Sequence, residues 1–256
     1  MPSPYGTGCR LVAAHRFFIE EPFAGGSIPL RANEARHATA LRLRVGEHIE
    51  LVDARGAASV VELTSVAREG LGGRVAATLV RPWIPRVSLA MGLGKGAKAD
   101  LVVEKAVELG VERVIPIVTA RGVARPDTAG RTRLTERLRR VASAAAAQSH
   151  RFEIPHVDEP IPMAGLAARL RSFDAAVVLW EEASGVGMGE ALATVPARAS
   201  VCVVVGPEGG LDASEVDTLV DAGARVATLG PTILRTETAA IVAVALASFV
   251  LAGADA

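Results

Sequence analysis

The run Val201-Cys202-Val203-Val204-Val205 carries five apolar residues with no polar alternation. A strand with one solvated face alternates, so a run of this kind belongs to a strand buried on both faces, as in a parallel sheet packed between helices. It is followed by Gly206-Pro207-Glu208-Gly209-Gly210 and then by Leu211-Asp212-Ala213-Ser214-Glu215. Asp212 and Glu215, three residues apart, form the pattern of a capping box, which starts a helix. A second junction has the same logic. The short apolar run 225–229 leads through a prolyl turn to Ile233-Leu234-Arg235-Thr236-Glu237-Thr238-Ala239, which opens the last helix. Two strand-to-loop junctions of this type end at one edge of a parallel sheet, where open α/β sheets bind their ligands.

The region from residue 87 onward alternates strand and helix. Strands are expected at 87–91, 113–118, 175–180, 201–205 and 225–229, and helices at 97–109, 131–148 and from 212. Gly110 is placed to end the helix at 97–109. This succession predicts an α/β, mainly parallel sheet with helices on both faces. Residues 1–80 read differently. Short β-like runs at 16–19, 48–53, 59–66 and 74–80 are separated by Asp53-Ala54-Arg55-Gly56 and Gly70-Leu71-Gly72-Gly73, with a helical turn or two at 34–42. That spacing suggests a small antiparallel meander or barrel. Arg81-Pro82-Trp83-Ile84-Pro85 marks the boundary. The expected domains are therefore an extension at 1–14, a β domain at 15–82 and an α/β domain at 83–256.

Half of the 256 residues are apolar, enough for a sizeable core. The longest apolar stretch, residues 239–252, is too short to span a bilayer and reads as a buried helix. Residues 1–14 make a poor signal peptide, so a soluble cytoplasmic protein with no membrane association is expected. Cys202 lies within the apolar strand and Cys9 near the N-terminus, and no disulfide framework is supported. The five histidines show no metal-ligand spacing, so no metal is expected. Net charge is zero but unevenly spread. Residues 121–151 carry 8 basic and 2 acidic groups, whereas 152–256 carry 5 and 14. Such a distribution suits either a polyanionic partner on the basic side or a solvated arginine-rich helix.

In the first junction, glycines would let backbone N–H groups approach a ligand, and Glu208 could hold a ribose hydroxyl or an amine. A plain strand-to-helix turn is the alternative. Neither a dinucleotide fingerprint nor a P-loop is present. In the second, Arg235 between Leu234 and an apolar helix needs a partner, which could be Glu237, another side chain or an anionic ligand. A Thr at that helix start could be an ordinary N-cap. Gly92-Leu93-Gly94-Lys95-Gly96-Ala97-Lys98 could contact phosphates at a helix N-terminus, or be a loop without function.

These stretches together resemble the RsmE family, the 16S ribosomal RNA uridine N3-methyltransferases of the SPOUT class. The resemblance covers residues 15 to about 252. It rests on His15-Arg16-Phe17-Phe18-Ile19, residues 37–46, residues 95–110 with their Glu-Lys-x-x-Glu-Leu-Gly ending, Gln148-Ser149-x-Arg151, Ile154-Pro155 and the two junctions. Ala120, Ala147 and Thr232 depart from residues common in the family. The resemblance implies a C-terminal SPOUT domain with a trefoil knot, an exception to the unknotted rule, preceded by a small PUA-like RNA-binding β-barrel. It also implies a homodimer, S-adenosyl-L-methionine as cofactor, and 16S rRNA or the small ribosomal subunit as partner. By position, Leu179, Trp180, Glu181, Gly206, Pro207, Glu208, Gly209, Gly210, Leu229, Gly230, Ile233, Leu234, Thr236 and Thr238 would line the cofactor pocket. Arg16, Arg42, Arg44, Lys95, Arg121 and Arg151 would contact RNA.

Methylation at N3 requires loss of the N3 proton, and the resulting anion spreads onto two flanking carbonyl oxygens. A nearby cation would stabilise that charge. Arg235 is the candidate, with Glu237 for positioning or proton acceptance, although water could take the proton. Rival readings are a ribose 2′-O or guanosine N1 methyltransferase of the same class, or a non-catalytic RNA-binding ribosome-assembly factor.

Overall fold

The computed structural model describes residues 15–30, 32–67, 70–94, 98–183, 185–196 and 198–253. The expectations for residues 1–14, Cys9 and Lys95 lie outside these. The chain divides into two compact units. One runs to Trp83 and takes in Ala146–Ile154; the other comprises Ile84–Ala145 and the chain from Pro155 onward.

The first unit holds β1 (Arg16–Phe18), β2 (Gly26–Ser27), α1 (Ala32–Ala40), β3 (His48–Val52), β4 (Ala58–Ala67) and β5 (Gly70–Leu79) in a five-stranded sheet of order β1-β3-β4-β5-β2. Phe17, Ile49, Leu51, Val61 and Leu63 form its core. Two features depart from the expected antiparallel meander. β1 pairs with β3 in parallel, Arg16 opposite Glu50. The glycine run at 70–73, expected as a separator, belongs to β5. Its glycines face crowded neighbours on β4: a Cβ at Gly73 would overlap Val61 Cγ1, and one at Gly72 would overlap Ser65 Oγ. Small residues are what that approach of two strands requires.

Arg16 and Glu50 explain the parallel pair. Glu50 is fully buried and Arg16 nearly so, with Nη2 to Oε2 at 2.6 Å. Arg16 Nη1 also donates to the carbonyls of His150 at 2.5 Å and Arg151 at 2.6 Å, and its guanidinium stacks 4.7 Å from the Phe152 ring centre. His150 Nδ1 lies 2.8 Å from the same Glu50 oxygen. These bonds, with the Arg81–Glu153 ion pair at 2.5 Å, explain why 146–154 clusters with the first unit instead of the second domain to which its sequence position assigned it.

The second unit holds β6 (Arg86–Gly92), α2 (Lys98–Glu108), β7 (Arg113–Val118), most of α3 (Thr128–Gln148), β8 (His156–Val157), β9 (Ile161–Pro162), α4 (Met163–Leu170), β10 (Ala175–Leu179), α5 (Met188–Leu192), β11 (Ser200–Val205), α6 (Ala213–Asp221), β12 (Arg225–Ala227) and α7 (Thr236–Ala252). The sheet order is β12-β10-β11-β6-β7-β8, with β9 also against β7, and every pairing is parallel. β11 is central and all six of its residues are buried. α6 starts on the expected capping box: Asp212 accepts from Ser214 N–H, and Glu215 accepts from Asp212 N–H at 2.9 Å. Glu215 also accepts from Ala120 N–H at 2.7 Å, fastening the segment after β7 to α6.

Removing one partner of a buried ion pair strands the other charge in a medium of low dielectric. Glu50→Ala is expected to destabilise the protein by about 3–5 kcal/mol. The exposed Arg74–Glu62 pair sets the contrast, since Glu62→Ala should cost about 1 kcal/mol or less. Urea unfolding of the two variants checks the difference.

Candidate active site

Because the strands of the second unit are parallel, their C-terminal ends share one edge. Segments leaving β10, β11 and β12, together with the start of α2 and of α7, line a cavity of about 480 Å³ there. Sites for small molecules commonly fall near this size.

Close backbone approaches shape the floor. A Cβ at Gly92 would overlap the backbone nitrogen of Pro207, so the end of β6 lies directly against the turn after β11. Gly210 has φ +72°, a left-handed conformation open chiefly to glycine, and a Cβ there would overlap Glu181 Oε1. The turn after β10 and the turn after β11 are thus packed together through that one residue.

Most of the residues expected to hold a cofactor do line the cavity: Leu179, Trp180, Glu181, Gly206, Pro207, Glu208, Gly210, Leu229, Gly230, Ile233, Leu234 and Thr236, together with Arg235. Gly209 does not; it lies against Arg121, whose carbonyl oxygen would stand 2.9 Å from an added Cβ. Thr238, on the exposed side of α7, also lies outside the lining. Glu237 is absent from the wall as well, and its carboxylate is turned toward Lys98. Lys98, Val205, Thr228, Pro231, Thr232 and Ala239 join the lining without having been singled out for it. Of these, Lys98 left a trace in the sequence, as the last residue of the glycine- and lysine-containing loop after β6.

The wall is mixed in character. Leu179, Val205, Leu234 and Ala239 offer apolar surface for a flat ring. The indole N–H of Trp180 is buried and finds no acceptor among the described residues. Glu181 and Glu208 supply negative charge. Lys98 Nζ lies 3.1 Å from Glu208 Oε1 and 3.5 Å from Glu237 Oε2, and the hydrogen bond to Glu208 raises its pKa above the ordinary lysine value.

Arg235 sits in extended conformation (φ −64°, ψ 149°) immediately before α7, and its carbonyl accepts from Ala239 N–H at 2.8 Å. It occupies the N-cap position in place of a threonine, and no side chain caps the helix. The Arg235 side chain is exposed, and its guanidinium makes no ion pair or hydrogen bond among the described residues. The partner that its position demands is therefore not Glu237.

The arginines expected to meet RNA divide into two groups. Arg42 and Arg44 are exposed in the first unit, and Arg121 is exposed in the second, with a loose 3.5 Å pair to Asp212. Arg16 and Arg151 are instead buried. The Arg16 guanidinium is consumed by Glu50 and two carbonyls, which corrects its assignment to an RNA surface. Arg151 is likewise enclosed within the first unit. Cys202 is fully buried and its thiol is pushed up to about 12, as an inert core residue should be. Among the described residues no helix is long and apolar enough to cross a membrane, and no group of three or more His, Cys, Asp or Glu could hold a metal ion.

Residues 82–248 match the family described as "RNA methyltransferase domain". Over 250 residues the chain is 32% identical to the ribosomal RNA small subunit methyltransferase E of Bacillus subtilis, covering 91% of this chain and 96% of that protein. Over 241 residues it is 36% identical to the protein of the same name from Mycobacterium bovis, covering 91% and 90%. A solved structure of ribosomal RNA small subunit methyltransferase E from Neisseria gonorrhoeae bound to S-adenosyl methionine superposes with a TM-score of 0.80 at 26% identity, covering 90% of this chain and 95% of that one.

Gly210→Ala is expected to cost about 1–2 kcal/mol, from the left-handed backbone, because the exposed Glu181 carboxylate at its Cβ position can swing aside. Adding Glu181→Ala should therefore recover less than about 0.5 kcal/mol. A double-mutant cycle by urea unfolding checks this; a coupling above about 1 kcal/mol would show that the two residues press on each other.

Proposed function

The chain belongs to the ribosomal RNA small subunit methyltransferase E family, and from that premise we propose that it transfers a methyl group from S-adenosylmethionine to N3 of a uridine in 16S ribosomal RNA. The observation that carries this reading is the convergence of residues 206–210 and 228–236 on one cavity, with an exposed arginine at its edge that has no ion pair among the described residues.

The residues present fit that cofactor. The apolar wall suits a purine, the Trp180 N–H, which finds no acceptor among the described residues, offers a hydrogen bond, and Glu181 and Glu208 suit hydroxyl, ammonium and sulfonium groups. When bound, S-adenosylmethionine supplies a methyl group already activated by its positive sulfur. The protein's share of the work is alignment and charge. Arg235, exposed and without a partner among the described residues, can reach the carbonyl oxygens that flank N3 and stabilise charge developing there as the N3 proton leaves to water. Glu237, turned toward Lys98, takes the positioning half of its expected role. The uridine has to be unpaired or flipped to reach the pocket.

We further assign residues 15–82 to a PUA-like barrel that contacts RNA through exposed Arg42 and Arg44, and residues 83–256 to a SPOUT domain. A trefoil knot in that domain is supported by the return of β12 to β10 rather than to its predecessor β11. Homodimerisation is supported by α7, where Leu246 and Phe249, one turn apart, are 38% and 74% exposed; a second copy covering them would remove apolar surface from water. The partner is the small subunit or its RNA, met in the cytoplasm.

Methyl transfer to small subunits lacking the modification, followed by nucleoside mass spectrometry, tests the reading. The expected product is 3-methyluridine. A 2′-O-methylated nucleoside or 1-methylguanosine would place the chain in another methylation class, and cofactor binding without transfer would favour an RNA-binding assembly factor. Arg235→Ala should lower the turnover rate by roughly 10²–10³-fold while the cofactor dissociation constant changes by less than about threefold. Near-normal turnover would sink the role given to Arg235.

A further inference from the structure

Lys98 is the first residue of α2, and its ammonium reaches two carboxylates that belong to different loops. Glu208 follows β11, and Glu237 opens α7. Their oxygens lie 3.1 and 3.5 Å from the same nitrogen. We propose that Lys98 is a positioning residue of this site, whose ammonium bridges Glu208 and Glu237 and so holds the two cofactor loops in one arrangement. The proposal rests on the reading of the cavity as the S-adenosylmethionine site.

The Glu208 carboxylate is also held by the fold. A Cβ at Gly94 would stand 2.5 Å from Glu208 Oε2, so that carboxylate is seated on the backbone after β6. Glu237 Oε2 is buried and makes no hydrogen bond, so Lys98 is the ion-pair partner it has among the described residues. Among the described residues at this edge, Asp100 pairs with Arg137 at 3.2 Å, the exposed Glu181 lies against Gly210, and Arg235 is exposed ahead of α7.

Without the ammonium, two carboxylates within reach of one point repel each other, and the cheapest relief is protonation of one or separation of the loops. Separation would open the cavity. Lys98 is 44% exposed, so the effect belongs to cofactor affinity more than to global stability. The direction with pH follows. The lysine's pKa is raised, so its contribution is complete below about 10.5, the ordinary value, and disappears only as pH climbs through the raised one.

Isothermal titration of full-length protein with S-adenosylmethionine at pH 8 tests this. Lys98→Met should bind about tenfold more weakly than wild type. Lys98→Arg, which keeps the charge, should stay within about threefold of wild type. Lys98→Met combined with Glu237→Gln, which removes one of the repelling charges, should recover at least about threefold over Lys98→Met. Unaltered binding by Lys98→Met, or no recovery when Glu237→Gln is added to it, would overturn the proposal while leaving the cavity assignment standing. A wild-type protein that binds no S-adenosylmethionine would overturn the assignment and the proposal together.

Discussion

Burial of β11 on both faces is the constraint on which the second unit depends. An extended segment with no solvent-facing side chain must have helices above and below and a hydrogen-bonded strand on each side. β6 and β10 fill those places, both in parallel. Parallel pairing forces the ends of β6, β10 and β11 to one edge, and β12 beside β10 brings a fourth segment there. The chain beyond each end has to turn in little space. Gly92 is a glycine because the backbone of Pro207 occupies the volume a side chain would need, and Gly210 because its φ of +72° is a left-handed turn.

Much of this could be read in the sequence, for a physical reason. Features that depend on neighbours a few residues away are written locally: the apolar run of β11, the capping box of α6 and the helix end at Gly110, which has φ +97°. Features that depend on distant partners are not. Nothing in the local pattern of β1 announces a parallel strand, because that pairing is stabilised by Arg16 reaching Glu50 and the carbonyls of residues 150 and 151. The same inward bond is invisible in the local sequence, so the RNA contact that the family resemblance implied for Arg16 had nothing there to oppose it.

The candidate site shows the same division. Its loops were legible because glycine, proline and charge interrupt apolar periodicity at both places. The connection between them was not, because Lys98 precedes Glu208 by more than a hundred residues and meets it only once the sheet has formed. Arg235 reads in the sequence as a charge in need of a partner, yet only the fold shows that Glu237 faces Lys98 and that the guanidinium has no partner among the described residues. The two loops therefore differ in what they offer. Residues 206–210 supply close backbone and a carboxylate, and residues 228–236 supply an apolar wall ending in an exposed cation.

The central claim is that S-adenosylmethionine occupies the cavity between those loops. Hydrogen–deuterium exchange of the full chain, with and without saturating cofactor, tests it most directly. Slowed exchange in the peptides covering residues 206–210 and 228–236, together with the start of α2, is the expected result. Saturable binding that leaves both loops exchanging as before, or that protects only peptides of the first unit, would contradict it.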